Sequence, residues 1–259
     1  MNFINKNKAV SYYIITYILS GILFGVTVLF SSAELSVTAE TALGSVTQWA
    51  PALGAVIMLM ITKEKSIKSF FKDLFKMRIA PMWILFSIVV VAVIVIFSGA
   101  LKSLFSGNGF SEFGVDVPPS FLTILFIIFG ALGEEIGWRG YLLPILLKKR
   151  SYISASLILG VLWAFWHIIP LSYLGIAGFL LYSVLITAVT FIMTWLYFFG
   201  NRNPMTTVIC HSVMNITFAF VFPVMETGQV AILAACAAAV AAGLVFSARP
   251  FKPKKIKEK

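Results

Sequence analysis

The run FLTILFIIFGALGEEIGWRGYLLPILLKKR, residues 121–150, decides the fold. As far as Leu147 it holds only three charged residues, Glu134, Glu135 and Arg139, and it ends on the basic run Lys148, Lys149 and Arg150. As a helix rising about 1.5 Å per residue, residues 121–147 would extend roughly 40 Å, enough to cross a hydrocarbon core about 30 Å thick. A water-soluble helix of this length would carry a polar stripe from end to end. Here the charges sit in one cluster, so most of the surface suits lipid and the cluster suits a protein interior.

The same pattern repeats in both directions. Apolar blocks occupy 10–30, 44–62, 79–100, 121–147, 152–169, 171–200, 204–222 and 230–247, which predicts eight spans. Of 259 residues, 60% are hydrophobic and 12% charged, and the mean hydropathy is +0.97. Soluble domains hold about 45–50% apolar and 25% charged residues, so a soluble fold could not hide this much apolar surface. The short alternating segments of a transmembrane barrel are absent. The predicted fold class is all-α: a polytopic transmembrane helix bundle, one domain over 1–247, with a basic tail at 248–259.

The charges sort by side. Lys6 and Lys8 precede the first block; Lys63, Lys65, Lys68, Lys72, Lys76 and Arg78 follow the second; Lys148, Lys149 and Arg150 follow the fourth. Arg202 follows the sixth, and Arg249, Lys252, Lys254, Lys255, Lys257 and Lys259 follow the eighth, leaving only Lys102 opposite and Arg139 within a span. The positive-inside rule makes that face, and both termini, cytoplasmic in a cell membrane. Glu34, Glu40, Glu112, Asp116 and Glu226 fall on the outer connections. The net charge of +10 is thus topogenic, which argues against a nucleic-acid partner. Residues 63–78, with Phe70, Phe71, Leu74 and Phe75 among lysines, suit an amphipathic helix at the membrane surface. Ser31, Ser32 and Ala33 after the first block resemble a signal-peptide cleavage site, but the block is longer than a signal core and is expected to be retained. Cys210 and Cys236 both fall in spans and are expected to be free thiols.

Ionisable groups at span centres cost about 2.5–3.5 kcal/mol each on the insertion scale, so they mark function by default. The set is small: Glu134, Glu135 and Arg139 in the fourth span, His167 at the end of the fifth, and His211 with Asn215 in the seventh. It includes both histidines of the chain. Glu134 and His167 each lie roughly 22 Å from the basic turn that joins their helices, so a hairpin brings them to one level. His211 is shallower by the same ruler, and tilt or a kink at Gly140 or Pro144 is needed to close the gap.

Glu135 and Arg139 stand at i and i+4 and can pair on one helix face, which alone reads as a structural ion pair. Glu134 lies about 100 degrees around and shares its face with Gly130 and Gly137; with Gly133 these let a neighbouring backbone come close. The two carboxylates are thus expected to serve different ends. His211 and Asn215 share a face, as do Trp163 and His167. Alone, His211 and Asn215 would suit interhelical hydrogen bonding, and Trp163, Phe165 and Trp166 would suit packing or interfacial anchoring.

Together these groups suit hydrolysis. A carboxylate can take a proton from water, a histidine can position that water, and an amide with a second imidazole can stabilise an oxyanion. Zinc held by His167, His211 and Glu134 is chemically possible, although the H-E-x-x-H helix motif is missing and a metal-free reaction is favoured. A proton-coupled transporter would use such groups as relays, yet the sequence has neither internal repeats nor paired broken helices.

Three motifs carry a resemblance. Glu134 to Arg139 fits EExxxR, Trp163 to His167 fits aromatic-xxx-His, and His211 to Asn215 fits HxxxN. In that order, on separate spans, they resemble the CAAX protease and bacteriocin-processing (Abi) family of intramembrane proteases, with the motif core at 121–222. The resemblance implies hydrolysis of a peptide or membrane-protein substrate at a site open to the cytoplasm. It implies Glu134 as the group that activates water, His167 as its helper, His211 and Asn215 as the oxyanion site, and Glu135 and Arg139 in support. Members are labelled metalloproteases, and some act in bacteriocin immunity or as scaffolds.

The charge asymmetry predicts that a single cysteine at Ser111 is labelled from outside intact cells and one at Ser66 is not, on a background lacking Cys210 and Cys236. The opposite labelling would invert the orientation.

Overall fold

Helices begin where the sequence supplies a cap or a proline. Ser36, Ser120 and Ser151 each accept a hydrogen bond from the backbone N–H three residues on, and Asn203 Oδ1 accepts from Met205 N at 2.9 Å. Pro81 and Pro204 open their helices, where the missing N–H is harmless. The computed structural model describes residues 2–31, 35–76, 78–106, 120–221 and 226–247. The predicted outer segment 107–119, Ser32, Ala33 and the tail 248–259 lie outside them.

The elements are α1 (Asn2–Lys6), α2 (Lys8–Phe30), α3 (Val37–Thr47), α4 (Ala50–Thr62), α5 (Ile67–Lys76) and α6 (Pro81–Ser106). Then follow α7 (Phe121–Glu135), a π-helical segment (Ile136–Leu142), α8 (Leu143–Leu147), α9 (Tyr152–Trp166), a 3₁₀ turn (Ser172–Leu174), α10 (Gly175–Phe199), α11 (Pro204–Val221) and α12 (Thr227–Ser247). The fold is all-α, with no strand among the described residues. Among the described residues, six stretches are long and apolar enough to cross a membrane: Lys8–Phe30, Val37–Thr62, Pro81–Phe105, Phe121–Leu147, Ser172–Phe199 and Thr227–Ser247. Two predicted spans differ from that set. Helix α9 stops at Trp166, because Pro170 cannot continue a helix and biases Ile169 away from helical angles. Helix α11, which carries His211 and Asn215, also lies outside that set.

Two irregularities shape the interior. Pro51 has no N–H to offer Thr47, and the chain breaks at Gln48 and Trp49 between α3 and α4. Downstream, Pro144 similarly cannot bond to Gly140, and the chain widens into the π segment, where Leu143 N donates to Trp138 O five residues back. Wider winding advances less per residue. It draws Glu134 toward the α8 end of its span, which contributes to closing the depth gap with His211.

Helix α10 packs between α9 and α12, α11 packs on α6 and α7, and α3 and α4 run against α7 and the π segment. Apolar side chains such as Ile18, Leu85, Ile96, Phe97, Ile176 and Leu180 are exposed on the outside, as expected of a bundle whose solvent is lipid. The inside holds the polar groups: Glu134, Glu135, Arg139, Thr190 and His211 are all buried. Helix α5 lays Phe70 and Leu74 inward, against Tyr141 and Gly140 of the π segment, and leaves Phe75 exposed.

Candidate active site

The glycine stripe on α7 is where the break between α3 and α4 is seated. A Cβ at Gly130 would collide with the Gln48 amide, one at Gly133 would stand 2.8 Å from the Trp49 ring, and one at Gly137 would collide with the backbone of Pro51. Trp49 also donates from Nε1 to the carbonyl of Phe129 (3.0 Å). Because Glu134 shares this face, it meets the break: Gln48 Nε2 donates to Glu134 Oε1 at 2.9 Å. Its second oxygen, Oε2, accepts from Trp163 Nε1 of α9 at 2.7 Å. Glu134 is fully buried, with a neutral donor on each carboxylate oxygen.

Glu135 points elsewhere. Its Oε1 accepts from Arg139 Nη1 at 2.6 Å and from His211 Nδ1 of α11 at 2.9 Å. Arg139, also fully buried, reaches Thr190 of α10 at 3.4 Å with Nη2 and lays its guanidinium 4.4 Å from the Trp163 ring centre. An ionised carboxylate only accepts hydrogen bonds, so Nδ1 of His211 carries the proton and Nε2 is directed away from Glu135. That Nε2 lies 4.0 Å from Glu134 Oε1, beyond direct hydrogen-bond reach and within the span of one bridging oxygen.

His167 follows Trp163 by one turn and caps the end of α9. Its Nδ1 donates to the carbonyl of Trp163 at 2.8 Å, which leaves Nε2 as the free nitrogen. The His167 ring stands edge-on to Trp166 and beside Tyr182, with centroids 4.9 Å and 5.4 Å away. Asn215 is half-buried one turn along α11 from His211, and no described residue hydrogen-bonds its amide. Thus Glu134, His211 and Trp163 are in direct proximity, His167 flanks Trp163, and Glu135 bridges Arg139 to His211.

All three motifs lie inside the segment 116–217, over which the chain matches the Rce1-like family described as type II CAAX prenyl endopeptidase Rce1-like. It is also 24% identical over 208 residues to CAAX prenyl protease 2 of Methanococcus maripaludis, covering 72% of this chain and 76% of that protein. Both similarities support placing the chain among the intramembrane proteases of the CAAX protease and bacteriocin-processing family. It is a multi-pass membrane protein and an intramembrane endopeptidase, a hydrolase.

In this intramembrane protease two residues enter the site that the sequence left out of it. Trp163, expected to be packing, donates to Glu134, and Gln48 was not among the predicted site residues at all. The signal for Gln48 was available: an amide in the apolar block 44–62 three residues before a proline. The sequence also assigned Glu135 to Arg139 alone, whereas it bridges to His211. For zinc, both Glu134 oxygens already accept hydrogen bonds, whereas His167 and His211 commit only Nδ1 and keep the Nε2 atoms a metal would use; among the described residues no three His, Cys, Asp or Glu side chains are grouped closely enough to hold an ion.

Removing one side of a buried charge pair costs about 3–5 kcal/mol. Glu135→Gln, which leaves Arg139 facing a neutral amide, is expected to lower the thermal midpoint in detergent and activity together. Glu135→Gln with Arg139→Met should recover part of the stability without restoring activity, because His211 still lacks its carboxylate.

Proposed function

We propose that the protease hydrolyses a peptide bond with water activated by Glu134, without a metal ion, at a site reached from the cytoplasmic face. The observation that supports this most is the pairing of a fully buried Glu134 carboxylate with the His211 Nε2 atom 4.0 Å away. A buried carboxylate held only by neutral donors is an effective proton acceptor once a water lies against it. His167, with Nδ1 committed to a carbonyl, would accept from that water through Nε2 and hold it in line.

In this reading the water gives a proton to Glu134 as its oxygen attacks the scissile carbonyl carbon. The charge moves to the carbonyl oxygen, which the Asn215 amide and His211 Nε2 stabilise by donation. The carboxylate of Glu135 against Nδ1 fixes the His211 ring and balances the imidazolium needed for that donation, as the aspartate does in a serine-protease triad. Collapse of the tetrahedral adduct breaks the C–N bond, and Glu134 returns its proton to the leaving amine. The name of the archaeal relative suggests the substrate class: a peptide whose cysteine bears a prenyl chain, with the lipid in the bilayer beside the site.

Glu134→Gln is isosteric, and an amide can still be satisfied here if the Gln48 side chain turns to accept from it. Turnover is therefore expected to fall by at least about 10²-fold with the thermal midpoint nearly unchanged. Wild-type activity on a reporter peptide should survive exhaustive treatment with a strong chelator. Full activity in Glu134→Gln would remove the base from the mechanism, and chelator loss restored only by zinc would replace it with a metal reaction. No cleavage by the wild-type protein of any lipidated peptide would favour a scaffold role.

A further inference from the structure

We infer that Gln48, delivered by the break between α3 and α4 and lying outside the matched segment 116–217, is a positioning residue that with Trp163 clamps the Glu134 carboxylate in its reactive orientation. The inference rests on the reading of Glu134 as the base. The terminal torsion of a glutamate is broad and roughly two-fold, so packing along the stem does not set the plane of the carboxylate. Here the plane is set by two donors from separate elements on separate oxygens, Gln48 Nε2 at 2.9 Å and Trp163 Nε1 at 2.7 Å. Releasing either lets the group swing away from His211 Nε2.

The seat of Gln48 is built for this. The Gln48 Cδ atom would stand only 2.6 Å from a Cβ at Gly130, and the Gln48 backbone carbonyl 2.9 Å from a Cβ at Gly133. Trp49 packs at a tilt against Phe129 with ring centres 4.7 Å apart and donates to its carbonyl, so the residue next to Gln48 is pinned to the same helix. Gly130 and Gly133 of α7 and Gly137 of the π segment thus accommodate Gln48, Trp49 and Pro51, and the group that this close approach brings inward is the Gln48 amide.

Two variants separate positioning from bulk packing. Gln48→Leu keeps volume and removes the donor. Gly130→Ala keeps Gln48 and displaces its amide, the far end of a flexible side chain. Each is expected to lower kcat by about 10- to 100-fold, the scale of losing near-ångström placement, with KM little changed and only a modest fall in the thermal midpoint from the lost or displaced donor. Adding Gln48→Ala to Gly130→Ala removes the crowding, and kcat should stay low because the donor is still missing. In a Glu134→Gln background, Gln48→Leu should change the residual rate by less than about twofold, since the carboxylate it acts through is gone. If Gln48→Leu keeps kcat within about twofold while Glu134→Gln is inactive, the clamp is refuted and the base stands. If kcat recovers in the Gly130→Ala, Gln48→Ala double variant, or falls only in step with the thermal midpoint, Gln48 is packing and the inference fails. Full activity in Glu134→Gln would instead remove the reading on which the clamp rests.

Discussion

Two consecutive carboxylates, Glu134 and Glu135, are buried completely inside a bundle whose surroundings are hydrocarbon, and the rest of the architecture follows from keeping both there. An ion moved from water into a low-dielectric interior loses several kcal/mol of solvation even after relaxation, and two like charges on neighbouring residues add repulsion. A helix separates neighbours by about 100 degrees, so the two groups leave in different directions and must be met by different elements. Glu135 meets charge: Arg139 on its own chain segment and His211 on α11. Glu134 meets neutral donors, Gln48 from the break and Trp163 from α9. Glu134 is thus held without a cation in contact, and Glu135 is locked to a guanidinium.

Each irregularity of the backbone serves one of those two sets of partners. Pro51 breaks the helix before it and turns Gln48 toward α7, where Gly130, Gly133 and Gly137 remove the side chains that would keep the break at a distance. Pro144 and the π segment widen the helix just after Glu135 and carry Arg139, which packs under Trp163 and reaches Thr190. The short α9 ends at Trp166, which leaves His167 at a helix terminus.

The class of the fold was legible because lipid imposes a length and a composition, and both survive in any reading of residues 121–150. The helical-face separation of Glu134 from Glu135 was legible too, since it depends only on helix periodicity, and so was the pairing of Glu135 with Arg139 at i and i+4. What periodicity cannot give is the identity of partners on other helices. The Glu135–His211 contact joins residues 76 apart, and the Gln48–Glu134 contact joins residues 86 apart. Trp163 was misjudged for a different reason: an indole is apolar over most of its surface, and composition cannot say which way its single N–H points. The extent of α9 was overestimated because hydropathy continues through Ile168 and Ile169 after the backbone has stopped being helical.

The motifs therefore do not amount to a self-sufficient unit. Segment 116–217 supplies Glu134, Glu135, Arg139, Trp163, His167, His211 and Asn215, but one of the two hydrogen bonds on Glu134 comes from residue 48. Without α3 and α4, the glycine face of α7 would open toward lipid, and Glu134 would lose a donor in a medium that offers no water to replace it. A carboxylate in that position is held ionised at greater cost and in no fixed orientation. The N-terminal helices, which carry none of the recognised motifs, thus close the side of the bundle on which Glu134 lies, through a glycine-lined contact with α7.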